Sequence, residues 1–264
     1  MSYFSSQADG TVSSALQAAL RPGAVAAPAK PGLIVAGATG ALGSEVLRRL
    51  AGSGRFSRTQ VLAREPITTG LLQVGITLAA QGACDSWPVQ ALRAQIGVVM
   101  FEPPRLYHDR ERALWTPGPE QLLGLARWLG RCGVQTLVVV MPHAEGRLPE
   151  ALKRGLANLD EQAVFRVGFE RLLLVRSARK KAAEKPSGFL TRTAAWMLST
   201  LSYMIPATER PIRPAKLAEF VDAILPMLPA GTHVAPPELL WKFAQGQGSE
   251  PRAALQAWLN TRLD

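Results

Sequence analysis

The stretch Pro31–Leu50, PGLIVAGATGALGSEVLRRL, constrains this chain more than any other. A short apolar run, Leu33-Ile34-Val35-Ala36, enters the glycine-rich turn Gly37-Ala38-Thr39-Gly40-Ala41-Leu42-Gly43. A helical pattern follows, with Val46, Leu47 and Leu50 on its apolar positions. Strand, glycine turn and helix start, in that order, are what a βα unit that holds a dinucleotide requires. Gly37 permits a tight exit from the strand, Gly40 leaves the backbone open to a pyrophosphate, and Gly43 lets the helix approach the strand closely. The N–H groups that open the helix then face the phosphate charge. Thr39, Ala41 and Leu42 share the turn and join the three glycines as cofactor-binding candidates. A purely structural turn is the competing reading, and the correct flanks on both sides weigh against it.

The residues downstream repeat the βα alternation. Thr59-Gln60-Val61-Leu62-Ala63 is expected as a second strand, and Leu71–Ala80 holds a third. Val89–Gln95 is expected as a short helix, followed by the buried strand Ile96–Phe101. Tyr107–Thr116 is charged and expected as a loop. Pro119–Leu129 is helical, and Thr136–Met141 is continuously apolar, as a central parallel strand should be. Pro149–Leu159 begins a helix with proline in its first turn, and Ala163-Val164-Phe165-Arg166-Val167 is expected as a sixth strand. Leu217–Leu228 is expected as a helix, Thr232–Ala235 as a short late strand, and Pro236–Phe243 and Arg252–Leu263 as two further helices. The alternation predicts an α/β protein with a Rossmann-type, doubly wound parallel sheet and a small C-terminal helical region lining a substrate pocket.

The end of the second strand is where such a site chooses its cofactor. An acidic residue there accepts from a ribose 2′-hydroxyl, and a basic one suits a 2′-phosphate. Arg64 stands at that place, followed by Glu65. Arg64 as the 2′-phosphate contact favours NADP(H), and Glu65 serving NAD(H) is the alternative. In an open sheet the ligand lies at the strand carboxyl ends, so Glu102–Arg105 should lie near the cofactor.

Composition narrows the partners. Thirty basic against 20 acidic residues give a net charge of +10, which suits anionic partners. The basic residues are scattered and no nucleic-acid motif is present, so a phosphate-bearing cofactor and a basic surface account for them. Cys84 and Cys132 have neither CxxC nor paired-histidine spacing, so no metal site or disulfide framework is expected. No secretory signal and no membrane-spanning run is apparent, and a cytoplasmic location is expected. Residues 1–30 read as a flexible extension, with the nucleotide-binding domain over 31–244 and a tail helix over 245–264.

These residues resemble a known family, the atypical short-chain dehydrogenases/reductases, especially their NAD(P)H-binding, NmrA-like and Tat-interacting-oxidoreductase-like branch. The likeness covers about Gly32–Ala244. It rests on the turn Gly37–Gly43, on Arg64, and on Val164-Phe165-Arg166-Val167-Gly168, similar to a family Val-Phe-Arg-Pro-Gly segment that borders the nicotinamide end of the cofactor. The resemblance implies that Gly168 belongs to the cofactor site. It also implies a tyrosine and a lysine four residues apart on the helix after the fifth strand, and a serine just after that strand. The tyrosine serves as proton donor or acceptor to a carbonyl, and the lysine lowers its pKa. Here the matching segment is Pro149-Glu150-Ala151-Leu152-Lys153, with lysine kept and proline in the tyrosine position. The serine region reads Met141-Pro142-His143-Ala144.

Three functions follow from this departure. The first is an NADP(H)-binding protein with degenerate catalytic residues, in which Lys153 touches the nicotinamide ribose and occupancy regulates or stabilises an interaction. The second is a reductase of a small carbonyl or enone that uses Lys153 or His143 in place of the tyrosine. The third is a nucleotide-free structural or adaptor protein. The basic run Arg176–Lys185 and the aromatic-bearing stretch Phe189–Ile205 suit a pocket cap by the family pattern, with peripheral membrane contact as the lesser reading. The terminal helix offers a surface for a homo-oligomer.

Overall fold

Parallel strands covered on both faces must be apolar at nearly every position, and the central strands of this chain meet that demand. The computed structural model describes residues 29–68, 70, 73–90, 92, 94–141, 149–176 and 212–261. Its strands are β1 (Gly32–Ala36), β2 (Arg58–Ala63), β3 (Val74–Leu78), β4 (Ile96–Met100), β5 (Thr136–Met141), β6 (Arg171–Arg176) and β7 (Gly231–Ala235). They form one seven-stranded sheet in the order β3-β2-β1-β4-β5-β6-β7, with every neighbouring pair parallel. Leu33 pairs with Thr59 on one side and Ile96 on the other, and Ile96 pairs in turn with Thr136. The strands therefore start level, and their carboxyl ends share one edge.

The helices are α1 (Gly40–Gly52), α2 (Asp109–Arg112), α3 (Leu122–Arg131), α4 (Glu150–Ala157), α5 (Glu161–Phe165), α6 (Pro214–Ile224), α7 (Pro237–Gln245) and α8 (Glu250–Asn260). Successive strand side chains point to opposite faces, which divides the core in two. Leu33, Val35, Met100, Val138 and Leu173 join α1, α6, α7 and α8 in one apolar layer. Ile34, Ala36, Val99, Val139 and Leu174 join α3 in the other, with Leu152, Leu156 and Phe165 of α4 and α5 against its margin. In α3 the buried Leu122, Leu125, Ala126 and Leu129 recur at helical spacing, and each fully buried leucine contributes about 1.5–3 kcal/mol. Asp222 of α6 ties its layer to α1: Arg49 Nε donates to it at 3.1 Å, and Arg55 pairs with the same carboxylate. The described C-terminal helices thus complete the core.

Two expected elements are corrected. Residues 163–167 are not a strand: Glu161–Phe165 is helical, because the Asp160 carboxylate caps it by accepting from the Ala163 N–H at 3.0 Å. The strand lies further on, at Arg171–Arg176, where Leu172–Val175 are fully buried. The described residues of 89–95 form no helix. Gln95 is committed instead to the sheet edge, its side-chain oxygen accepting from the Gly32 N–H at 2.6 Å and its carbonyl from Gln135 and Thr136.

Residues from Pro31 onward form a unit distinct from the first thirty. His143 and Phe189–Ile205 lie outside the described residues. Among the described residues, no helix is long and apolar enough to cross a membrane.

Candidate nucleotide-binding site

The strand order reverses between β1 and β4, and the turn after β1 sits at that switch point, where open sheets of this type hold ligands. Gly37 has φ +75°, a backbone angle that side-chain-bearing residues rarely adopt, and a Cβ there would collide with the Met100 carbonyl oxygen. Gly40 has φ +70°, but the group against it is not the open space its assigned task supposes. A Cβ on Gly40 would run into the side chain of Glu102, which follows β4.

Two carboxylates occupy the start of α1. Glu102 Oε2 accepts from the Leu42 N–H at 2.6 Å, and Glu111 Oε2 accepts from the Gly40 N–H at 3.0 Å. Glu111 is 6% exposed despite lying in the charged run read as a loop. It also accepts from the Ser44 hydroxyl at 3.2 Å, from the Arg105 N–H at 3.0 Å and from Arg105 Nε at 2.8 Å. Burial alone would raise the Glu111 carboxyl, but these donors, led by the Arg105 guanidinium, outweigh it and leave the group below the ordinary carboxylate range. Glu102 goes the other way. Burial raises its pKa and the nearby Glu111 charge adds to the rise, against the opposing Leu42 N–H and Arg105. A carboxylate at a helix N-terminus satisfies orphan donors, and here both come from segments remote in sequence from α1; for Glu111 the gain outweighs burial, and for Glu102 it does not.

The segment that carries these carboxylates is laced to the turn. Gly37 N–H donates to the Trp115 carbonyl at 3.1 Å, and the Trp115 N–H donates to the Leu62 carbonyl at 2.9 Å. The Arg64 N–H donates to the Ala113 carbonyl at 2.8 Å. Thr39 is fully buried and does not cap α1 with its side chain. Its hydroxyl donates to the Glu102 carbonyl at 2.5 Å and lies 2.7 Å from the Thr116 hydroxyl. Glu102 and Arg105 therefore lie at the turn, and tertiary contacts close the segment down upon it.

Beside the turn the surface opens. A groove of about 410 Å³ runs along the ends of β2 and β3, lined by Arg64, Ala79–Gly82, Trp87, Trp115, Thr116 and Gln121. Trp87 is 3% exposed, and its indole Nε1 has no hydrogen-bond partner among the described residues. A buried donor without an acceptor is costly and uncommon in a folded protein.

The other assigned residues divide. Gly37, Thr39, Gly40, Ala41, Leu42 and Gly43 stand together at the turn, with Arg64 in the adjoining groove. Lys153 lies on α4, and its side chain is not among those described. Gly168 is a correction. It precedes β6 and so lies at the amino-terminal edge of the sheet, opposite the glycine turn, because the segment read as a strand is a helix. It cannot border a ligand held at the carboxyl edge. Glu111 was missed altogether; it lies outside every motif, and its place depends on a partner 71 residues away. Tyr107 is the one tyrosine among the described residues, and it is 94% exposed. No cluster of metal-ligating side chains occurs among the described residues.

Sheet order, parallel pairing and the strand–turn–helix at the switch point define a Rossmann-type α/β protein. No protein-family model matches the chain, and no curated protein matches it in sequence. Comparison with solved structures does find similar chains. MoeE5 in complex with UDP-glucuronic acid and NAD is similar at 16% identity and TM-score 0.43, over 77% of this chain and 75% of that one. Triphenylmethane reductase from Citrobacter sp. complexed with NADP(H) is similar at 14% and 0.42, over 77% and 68%. UDP-N-acetylglucosamine 4-epimerase from Bacillus cereus is similar at 11% and 0.45, over 81% and 82%. At these identities the likeness is one of fold.

Proposed function

We propose that this protein binds a nicotinamide dinucleotide at the carboxyl edge of its sheet, NADP(H) in preference to NAD(H). The observation that carries the reading is the groove at the ends of β2 and β3, with Arg64 at its wall and the glycine turn beside it. The adenosine half of the dinucleotide enters this groove, Arg64 meets the 2′-phosphate, and the pyrophosphate lies toward the start of α1. The unpartnered Trp87 Nε1 in the lining supports a ligand that brings an acceptor. Lys153, in the second turn of α4, is assigned to the nicotinamide ribose. With Pro149 in place of the tyrosine, the protein is a binding or regulatory protein in which redox turnover is not the primary role.

Titration of the purified protein with NADPH and NADH, followed by nicotinamide fluorescence, tests this. NADPH binding tighter than NADH binding is expected. Binding of neither would overturn the reading, and preference for NADH would remove the role of Arg64.

One observation favours a nucleotide-free protein instead. The Gly40 and Leu42 N–H groups, which a pyrophosphate would need, already have carboxylate partners. On that reading the glutamates finish the fold and the groove is incidental, and the same titration gives no signal with either nucleotide.

A further inference from the structure

The two carboxylates at the start of α1 are not held alike. Glu111 is buried, takes donors from Gly40, Ser44 and Arg105, and is bound to its own segment through the Arg105 ion pair. Removing it would uncouple α2 from α1. Glu102 is only part-buried, and its carboxylate is held by backbone N–H groups alone, Leu42 at 2.6 Å with Ala41 beside it. It sits against Gly40, in the place where a Cβ is excluded and a phosphate oxygen would otherwise approach. Among the described residues its one neighbouring cation, Arg105, is already engaged by Glu111. Glu102 can therefore leave α1 at the loss of backbone N–H contacts alone, whereas Glu111 would also give up its ion pair with Arg105. A pyrophosphate brought beside both carboxylates would be repelled by each, and repulsion from the more weakly held one is relieved when it swings out.

We propose that Glu102 is a built-in competitor of the dinucleotide: its carboxylate holds the Leu42 N–H that the pyrophosphate needs, and a ligand binds fully only by displacing it. The proposal rests on the nucleotide reading above. It predicts a two-part site. The adenosine groove at Arg64 is open at all times, and the phosphate end opens only against Glu102. Ligands that lack a pyrophosphate are indifferent to Glu102, and those that carry one are not. The device sets a threshold: the protein stays empty at nucleotide concentrations that would fill the same turn without the glutamate.

The test compares wild type with Glu102→Ala and the isosteric Glu102→Gln, using two probes. NADPH carries the pyrophosphate, and adenosine 2′-monophosphate occupies only the groove. Glu102→Ala is expected to tighten NADPH by about tenfold or more, the worth of one charge-assisted hydrogen bond, and to leave adenosine 2′-monophosphate unchanged. Glu102→Gln keeps the volume and an acceptor without the charge, so it tightens NADPH by a smaller factor and guards against a misfolded alanine variant. If NADPH binds wild type and both variants equally, or the variants more weakly, Glu102 is no competitor and the nucleotide reading survives. If adenosine 2′-monophosphate tightens as much as NADPH, the effect is general electrostatics and the proposal fails. If neither probe binds any of the three proteins, the nucleotide reading falls and the competitor falls with it.

Discussion

The two halves of the carboxyl edge, side by side, are in opposite chemical states. Over β1 and β4 the donors at the start of α1 are met by carboxylates from the chain itself, and even the Thr39 hydroxyl is engaged. Over β2 and β3 there is open space, with Arg64 on its wall and a buried indole N–H that lacks an acceptor among the described residues. One half is satisfied without a ligand and the other is not. A helix N-terminus attracts anions whatever their source, so a glycine turn records an anion site without saying whose anion fills it. The unsatisfied half is the better witness to a ligand.

The largest effect is expected where the two halves share a foundation. Gly37→Val places a branched side chain at positive φ against the Met100 carbonyl and should destabilise the fold by roughly 3 kcal/mol or more. A denaturation midpoint that does not move would mean that the turn relaxes freely. On the satisfied side, Glu111→Ala strands the Gly40 N–H and the Arg105 guanidinium and should cost about 1.5–3 kcal/mol in the same measurement. A loss below half a kcal/mol would show that solvent replaces the carboxylate easily. On the open side, Arg64→Ala should weaken NADPH about tenfold, spare NADH and leave stability nearly unchanged. Equal weakening of both nucleotides would deny Arg64 the 2′-phosphate.

The smallest effect lies at the seam between the halves and is read from its pH dependence. Burial raises the Glu102 pKa in the fold, with the Leu42 N–H, Glu111, Arg105 and the Ala41 N–H facing it. Its stabilising contribution is therefore complete below the unfolded value of about 4.3 and is lost as pH rises through the folded value. Glu111, lowered, behaves oppositely: its contribution is present above the unfolded value and lost as pH falls through the folded one. Relative to wild type, Glu102→Gln should gain stability steadily from acid toward neutral pH. Parallel stability–pH curves for the two proteins would show that Glu102 is effectively solvated.

What the sequence disclosed divides along the same line. The glycine turn was legible because strand, turn and helix adjoin in the chain, and each glycine is required by backbone geometry within reach of the turn. The strands of the centre were legible because burial on both faces leaves continuous runs such as Thr136–Met141. Ala163–Val167 misled because a short apolar run does not distinguish a strand from one buried helical turn, and the deciding residue, Asp160, stands just outside it. That shift carried Gly168 to the wrong edge of the sheet. Glu111 could not be found at all: in sequence it is one charge among Asp109, Arg110 and Arg112, and only the path of Ala113–Thr116 along the end of β2 buries it. Composition speaks to average solvation, whereas this glutamate's role depends on where one segment lands.

The indoles at the groove give the molecule its own optical reporter. Trp87 meets Trp115 edge-to-face at 5.2 Å and Trp128 at the same separation, and Trp87 and Trp115 both wall the groove. Rings this close exchange excitation readily, so a molecule that enters the groove and alters the polarity around Trp87 or Trp115 is expected to change the emission of the cluster. Unlabelled protein can then be titrated in the ultraviolet with ligands that do not fluoresce, and occupation of the open half can be followed separately from what happens at the start of α1.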